Sequence, residues 1–341
     1  MSRTVFGLRR HNGAVVLAAL VIAALATLAA VALVATQSRA TNEVSRQFDR
    51  GQALGLARAG TAWAAAILRQ DERQTTLDTL QEPWAQPLPP TRVEEVGELQ
   101  GQLFDQQGRF NLPNLVTGGA ADVIEASRFA ALLTTLNLPT SLVNDLIDWQ
   151  DTDEVAWSQA GSSGKEGTQP GGGAFPNRPL NDLSELATVP GFSASVIARL
   201  APYVTVIPAY LGKQRINVNT APLPVLMALV PGMTEAEART VIEARIRIPF
   251  KDVADFATRL PRAALQNVAS GTASASAIDT SANKLTVDQS ALRVTSEHFL
   301  LNAHIRYGDA ALHVQAQLWR APNTWPVVLW QRVLPAPAGR G

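Results

Sequence analysis

The residues best equipped for chemistry lie in one acidic run, Asp148-Trp-Gln-Asp151-Thr-Asp153-Glu154. Carboxylates spaced in this way beyond a helix can converge on a hard cation, and Ca2+ takes about six to eight oxygens from such flexible loops. The run is not an EF-hand, because the loop glycine and the final glutamate of that motif are missing. A solvated helix end is the plainer reading of the same residues. The glycine-rich stretch 160–174 beside it could supply carbonyl oxygens or could simply be loose chain. Other chemistry finds little to work with. Cysteine is absent, which excludes disulfides, thiol catalysis and thiolate metal sites. The four histidines are His11, His298, His304 and His313, and the last three sit in strand-like sequence. His304 and His313 could face each other across a hairpin, but with no carboxylate nearby they read as surface residues. No Gly-x-Ser-x-Gly, P-loop, His-Glu-x-x-His or dinucleotide fingerprint is present, so no enzyme is expected.

A second constellation raises nucleic acid. Leu183-Ser-Glu-Leu-Ala-Thr-Val-Pro-Gly-Phe and Val225-Leu-Met-Ala-Leu-Val-Pro-Gly-Met each read as a short apolar helix, a Val-Pro-Gly turn and a second helix. These are helix-hairpin-helix units with Gly191 and Gly232 as the turn glycines. In DNA binding, such a glycine lets backbone amides approach a phosphate. Here Thr234-Glu-Ala-Glu237 forms a capping box, so the amides satisfy one another and two glutamates flank the turn. Basic and acidic residues nearly balance over 181–260, as do the 29 of each in the whole chain. A packing or protein-binding unit is the better expectation.

The elements that must position these residues begin with a membrane stem. Gly13 to Thr36 carries no charge and is long enough to cross a hydrocarbon core of roughly 30 Å. Arg3, Arg9 and Arg10 precede it. Three readings compete: a cleaved signal, for which the apolar core is too long; a single-span anchor with its arginines on the near side; and a prepilin leader. In the last, a peptidase cuts after Gly13 and methylates Ala14. Helix-compatible sequence continues to about Gln70, with Val44, Phe48, Leu54 and Ile67 suggesting its apolar stripe. Four prolines between Glu82 and Pro90 then imply an extended connection. Glu98–Asp105 reads as a strand closed by a Gln107-Gly108 turn. Helices are expected at Ala121–Leu136, Thr140–Trp149, Asp182–Ala187, Ala194–Leu200, Pro222–Leu229, Glu235–Ile246 and Val253–Arg259. Gly271 to Ser290 reads as a loop. His298–Tyr307 and Leu312–Leu318 alternate as strands across Gly308-Asp309, with Pro326–Val333 as an edge strand. Trp149, Trp157, Trp319, Trp325 and Trp330 are expected in core or interface. Strand sequence thus brackets a helical block, which predicts an α+β fold with an α domain inserted in a small antiparallel sheet.

The combination resembles the minor pseudopilin K family of type II secretion over nearly its whole length. The pieces that carry the likeness are Gly13-Ala-Val-Val-Leu-Ala, Asp105-Gln-Gln-Gly-Arg-Phe-Asn-Leu, Asp145-Leu-Ile-Asp-Trp-Gln-Asp-Thr-Asp, Asn177-Arg-Pro-Leu-Asn-Asp-Leu-Ser-Glu-Leu, Leu200-Ala-Pro-Tyr-Val-Thr-Val and Ile216-Asn-Val-Asn-Thr-Ala. The resemblance implies a pilin-like helix and sheet with an inserted helix-hairpin-helix domain: leader 1–13, membrane helix 14–36, helix and first strand 37–108, insert 109–285, remaining strands 286–341. It implies cleavage after Gly13, methylation of Ala14, an inner-membrane subunit facing the periplasm, and no catalysis. It further implies minor pseudopilins I, J and H, the major pseudopilin and the prepilin peptidase as partners, at the tip of a filament that drives folded proteins outward. Pilin relatives carry Glu at the fifth mature position, where this chain has Ala18, as the K member does. Family members bind Ca2+ in the α domain, which the resemblance assigns here to Asp148, Asp151, Asp153 and Glu154. The chain departs from the family after that run, where Ser158–Ala174 holds glycine, serine and a single acid, Glu166. The rival function is a membrane-anchored helix-hairpin-helix protein for DNA uptake.

Overall fold

The computed structural model describes residues 12–159, 162–163, 175–261 and 287–334. The leader arginines, Glu166 with most of the glycine-rich stretch, and most of the expected 271–290 loop lie outside them. The chain opens with α1, one helix of 63 residues from Asn12 to Gln74, about 95 Å long at 1.5 Å per residue. Among the described residues, every side chain from Val16 to Ser45, in its first half, is exposed.

The second half of α1 lies on a five-stranded antiparallel sheet of order β1-β2-β3-β4-β5: Leu88–Val93, Gly97–Asp105, His298–Tyr307, Ala310–Trp319 and Val327–Leu334. Alternation in β3 and β4 points Phe299, Leu301, Ala303 and Ile305, and Leu312, Val314, Ala316 and Leu318, into one core with α1. The helix face that meets them is Ala53, Ala57, Thr61, Ala64 and Leu68. The expected stripe was misplaced: Val44 and Phe48 are exposed, while Leu54 and Ile67 are only partly buried at the margin of the core. Small side chains win the contact because they let the helix axis lie close to a sheet that already supplies the bulk. The β3–β4 turn then locks on the helix. Gly308 has φ +52°, and a Cβ there would stand 2.5 Å from Asp49 Oδ2. That same Oδ2 accepts the Asp309 N–H at 3.1 Å.

The proline-rich connection is more structured than expected. A turn of 3-10 helix at Pro83–Ala85 buries Trp84 edge-on against Phe299, and β1 follows as an edge strand. Its register breaks between Leu88 and Thr91, at Pro89-Pro90, which have no N–H to give the ladder.

Between β2 and β3 the chain builds a second apolar core. Helices α2 (Val123–Thr135), α3 (Leu142–Gln150), α4 (Ala194–Leu200), α5 (Leu223–Leu229), α6 (Glu235–Arg247) and α7 (Val253–Arg259) fall within a few residues of expectation. Side chains of Asp122, Ser193, Thr234 and Asp252 cap α2, α4, α6 and α7. The expected helix at 182–187 is a 3-10 segment, Leu183–Thr188. Two short parallel pairings escaped the helical reading: Phe110–Asn111 with Val204–Thr205, and Ile216–Asn217 with Leu292–Arg293. Val287, Leu292 and Val294 pack into this core too, so the insert runs beyond residue 285. Trp149 is buried, Trp157 packs against the insert core, and Trp325 is exposed.

Candidate functional site

The stem comes first, since any chemistry is delivered by it. Among the described residues, α1 is the one helix long and apolar enough to cross a membrane. Thr27 and Thr36 donate their hydroxyls to the Ala23 and Ala32 carbonyls at 2.8 and 3.0 Å, leaving no polar hydrogen for lipid. Gly13 and Ala14 lie within the helical backbone, and Ala18 is an exposed, uncharged position on its first turns.

The acidic run splits into two halves. Asp148 and Asp151 lie one turn apart at the end of α3 and are buried, whereas Asp153 and Glu154 are exposed on the bend beyond. Asp148 Oδ1 accepts the Trp157 N–H at 2.6 Å, folding the chain back over it. Asp153 Oδ1 accepts the Val155 N–H at 2.9 Å within its own bend. The four carboxylates do not converge as a group of described residues. The donor set is all hard oxygen, the ligand type that Ca2+ takes. Most of the glycine-rich stretch 160–174 beside it falls outside the described residues.

At the hairpins, Gly191 and Gly232 have φ of +81° and +79°, and Gly191 leaves no room for a Cβ against Leu142. The capping box of α6 is complete: Thr234 N–H donates to Glu237 Oε2 at 2.8 Å, and Glu237 N–H returns to Thr234 Oγ1 at 3.3 Å. His304 and His313 do pair across β3 and β4, their rings stacked with centroids 4.5 Å apart, half-buried rather than freely exposed.

The carboxylates that do converge are Asp71, Asp78 and Glu82, and sequence reading missed them. Asp71 and Asp78 hold Arg320, which follows β4, while Glu82 accepts the Thr79 N–H and the Trp84 indole N–H. Arg320 donates to Asp71 Oδ2 at 2.8 Å and to both Asp78 oxygens at 2.6 and 2.7 Å, and its guanidinium stacks over Phe299. A guanidinium already fills the centre, so this is a structural lock rather than a cation site. Burial works against the Arg320 charge, but Asp78 and Asp71 outweigh it and raise its pKa. Burial, then the neighbouring Glu82 and Asp78 charges, push Asp71 up to about 7.

The lock continues across the seam between the two cores. Ser296 N–H donates to Asp78 Oδ2, and its hydroxyl to Asp105 Oδ2 at 2.8 Å. Asp105 also accepts the Thr220 hydroxyl and the Gln107 N–H. Burial drives its pKa up to about 6 despite these bonds. Asn217 Nδ2 donates to the Asp78 carbonyl at 3.0 Å and to Ser296 Oγ at 2.9 Å. Asn219 exchanges two bonds with the Phe250 backbone, both 2.9 Å. Asn114 exchanges two bonds with the Gln214 backbone in the same way, and Asn111 accepts the Ile207 N–H while donating to Asn114 Oδ1. Of the segments singled out in the sequence, Asp105, Asn217 and Thr220 therefore brace the insert to the sheet and to the end of the stem, while Asn111 and Asn219 brace the insert internally. Their signal was a density of Asn, Gln and Thr too high for solvated loop; the partner Arg320 carried none.

Comparison with known proteins gives these features a context. Models of the family described as type II secretion system (T2SS), protein K match residues 108–209 and 216–280. The type II secretion system protein K of Pseudomonas aeruginosa is 32% identical over 267 residues, covering 74% of this chain and 78% of that protein. The protein of the same name from Klebsiella pneumoniae is 29% identical, covering 94% and 95% of the two chains. The crystal structure of the GspK-GspI-GspJ complex from enterotoxigenic Escherichia coli contains a chain of the same fold, with a TM-score of 0.65 and 23% identity; the match spans 86% of this chain and all of that one.

Proposed function

The chain belongs to the type II secretion system protein K family, and from that premise we propose that it is a non-enzymatic minor pseudopilin at the tip of the secretion filament, where it initiates or caps assembly. One observation carries the reading: half of a 63-residue helix is apolar and exposed, while the other half is clamped to a folded head. Before assembly the exposed half anchors the chain in the inner membrane with its head in the periplasm. After cleavage behind Gly13 and methylation of Ala14 it packs among other stems. Ala18 supports a terminal place, because a carboxylate in that apolar setting needs a partner, and a subunit with nothing above it has none to offer. The insert, braced over the end of the stem, is bulk that would block further stacking.

Minor pseudopilins I and J are the proposed neighbours, with H and the major pseudopilin below, as the composition of the related complex supports for the first two. Asp148 and Asp151, aided by Asp153 and Glu154, would hold Ca2+, whose role there is to neutralise buried carboxylates and order the loop after α3. The test is coexpression with a prepilin peptidase and tagged I and J. A mature N-terminus at Ala14 and copurification of both partners are expected. An intact N-terminus, or a processed chain that recovers neither partner, refutes the proposal.

A further inference from the structure

β3 and β4 put His304 directly opposite His313, on the sheet face turned away from α1. Their rings lie side by side, with centroids 4.5 Å apart and planes within 6° of parallel. The row they belong to runs Gln100, His304, His313, Leu334 from β2 to β5. Both rings are partly open to solvent.

Two imidazoles fixed on neighbouring strands are a preorganised bidentate ligand, because folding has already met the entropy of bringing them together. A tetrahedral ion with metal–nitrogen bonds of about 2.0–2.1 Å needs its two nitrogens about 3.3 Å apart. A modest tilt of each ring about its side-chain bonds closes the gap from a 4.5 Å separation. Metal binding needs the neutral ring, and burial, then the charge of the facing His304, hold the His313 pKa below its ordinary value.

The charges around the pair leave room for a cation. Arg332, one row further from the turn, is occupied by Asp182 at 2.9 Å and by Gln315. One row nearer the turn, Arg306 is exposed and stands opposite Glu98, a carboxylate on the same face. Diagonal neighbours on one face lie about 7–8 Å apart, within reach of long side chains, so Glu98 or water can complete a coordination sphere. Imidazole selects zinc, copper and nickel, whereas calcium and magnesium take oxygen. The chain has no cysteine to compete for such an ion.

We propose that His304 and His313 are the chelating pair of a site for a divalent transition-metal ion of the zinc and copper class. The bound ion staples β3 to β4, in the hairpin whose turn already holds the stem at Asp49. The site is separate from the acidic run, whose oxygens suit a harder ion, and it holds whether or not the chain sits at a filament tip.

Calorimetric titration of the untagged full chain in detergent, with Zn2+ and with Ni2+, tests it. Wild type is expected to bind both ions, and His304→Gln and His313→Gln should each lose at least about tenfold in affinity. His11→Gln, in the leader, should leave the affinity unchanged. Cu2+ on the wild-type chain gives a reading that needs no variant: electron paramagnetic resonance should show splitting from two imidazole nitrogens. No heat with either ion up to millimolar concentration, wild-type affinity in either sheet variant, a loss on His11→Gln, or a Cu2+ spectrum without the paired nitrogens overturns the site.

Discussion

Asp71 gives the sharpest test of the seam. Its carboxyl is pushed up to about 7 by burial and by Glu82 and Asp78, against an ordinary value of 3.8. A raised acid pKa means that the folded chain holds a proton the unfolded chain has released. Stability from this group is therefore greatest below pH 3.8 and is lost as pH rises towards 7. Between pH 5 and pH 8 the linkage integrates to roughly 2–3 kcal/mol at about 1.36 kcal/mol per unit. The wild-type profile alone will not isolate it. Asp105 shares the sign, with a pKa of about 6. His298 opposes it, because burial lowers its pKa to about 4 and protonation destabilises the fold as pH falls below 6.5. The difference between wild type and Asp71→Asn cancels those contributions. Asn keeps an oxygen for the Arg320 N–H that Asp71 now accepts at 2.8 Å, and Arg320 keeps its two bonds to Asp78. The variant's advantage should thus grow by roughly 2–3 kcal/mol from pH 5 to pH 8, or about 3–6 °C in melting temperature for a fold of this size. Thermal unfolding of the full chain in detergent, followed by circular dichroism at both pH values, measures it. A variant curve parallel to wild type, or an advantage that shrinks with pH, refutes the assignment of Asp71 as the strained member of the lock.

Two further outcomes follow from the fold and from the acidic run. Gly308→Val places a β-branched side chain at φ +52° and drives a Cβ towards Asp49 Oδ2; a loss of about 2–4 kcal/mol is expected in thermal or denaturant unfolding, and a neutral result refutes the clamp between hairpin and stem. Ca2+ at millimolar excess should raise the melting temperature of wild type but not of Asp148→Asn/Asp151→Asn, and an equal response of both proteins retires the cation site.

Much of the fold was legible because its periodicities are local. Phe299 to Tyr307 alternates so regularly that β3 could be bounded to the residue, and α4 and α7 were as clear between their caps and breakers. The misses arose where a distant partner decides. β1 contains two prolines and reads as irregular chain; only its edge position makes that acceptable. Val44 and Phe48 look like core by hydropathy, but the sheet lies under the alanines further along. The seam shows the same limit. Asp105, Asn217 and Thr220 stand out as polar residues in apolar surroundings, yet that Arg320 closes their network across more than two hundred residues is settled only in three dimensions.

The polar seam also explains how an insert can act as part of a stem. The chain crosses between the sheet and the insert after β2 and before β3, and two such strands of backbone would ordinarily be a hinge. The apolar cores stay separate, so hydrophobic burial alone would hold the halves together without fixing their angle. Directional bonds supply what burial lacks. Asp78 follows the end of α1, Ser296 precedes β3, Asp105 ends β2, and Asn217 and Thr220 belong to the insert; each is bonded to at least one of the others. Arg320 ties that set to Asp71 in the last turn of α1. Rotation of the insert would break several buried bonds at once, each leaving a group without solvent to replace its partner. The insert is therefore held to the end of α1 by directional bonds as well as by burial.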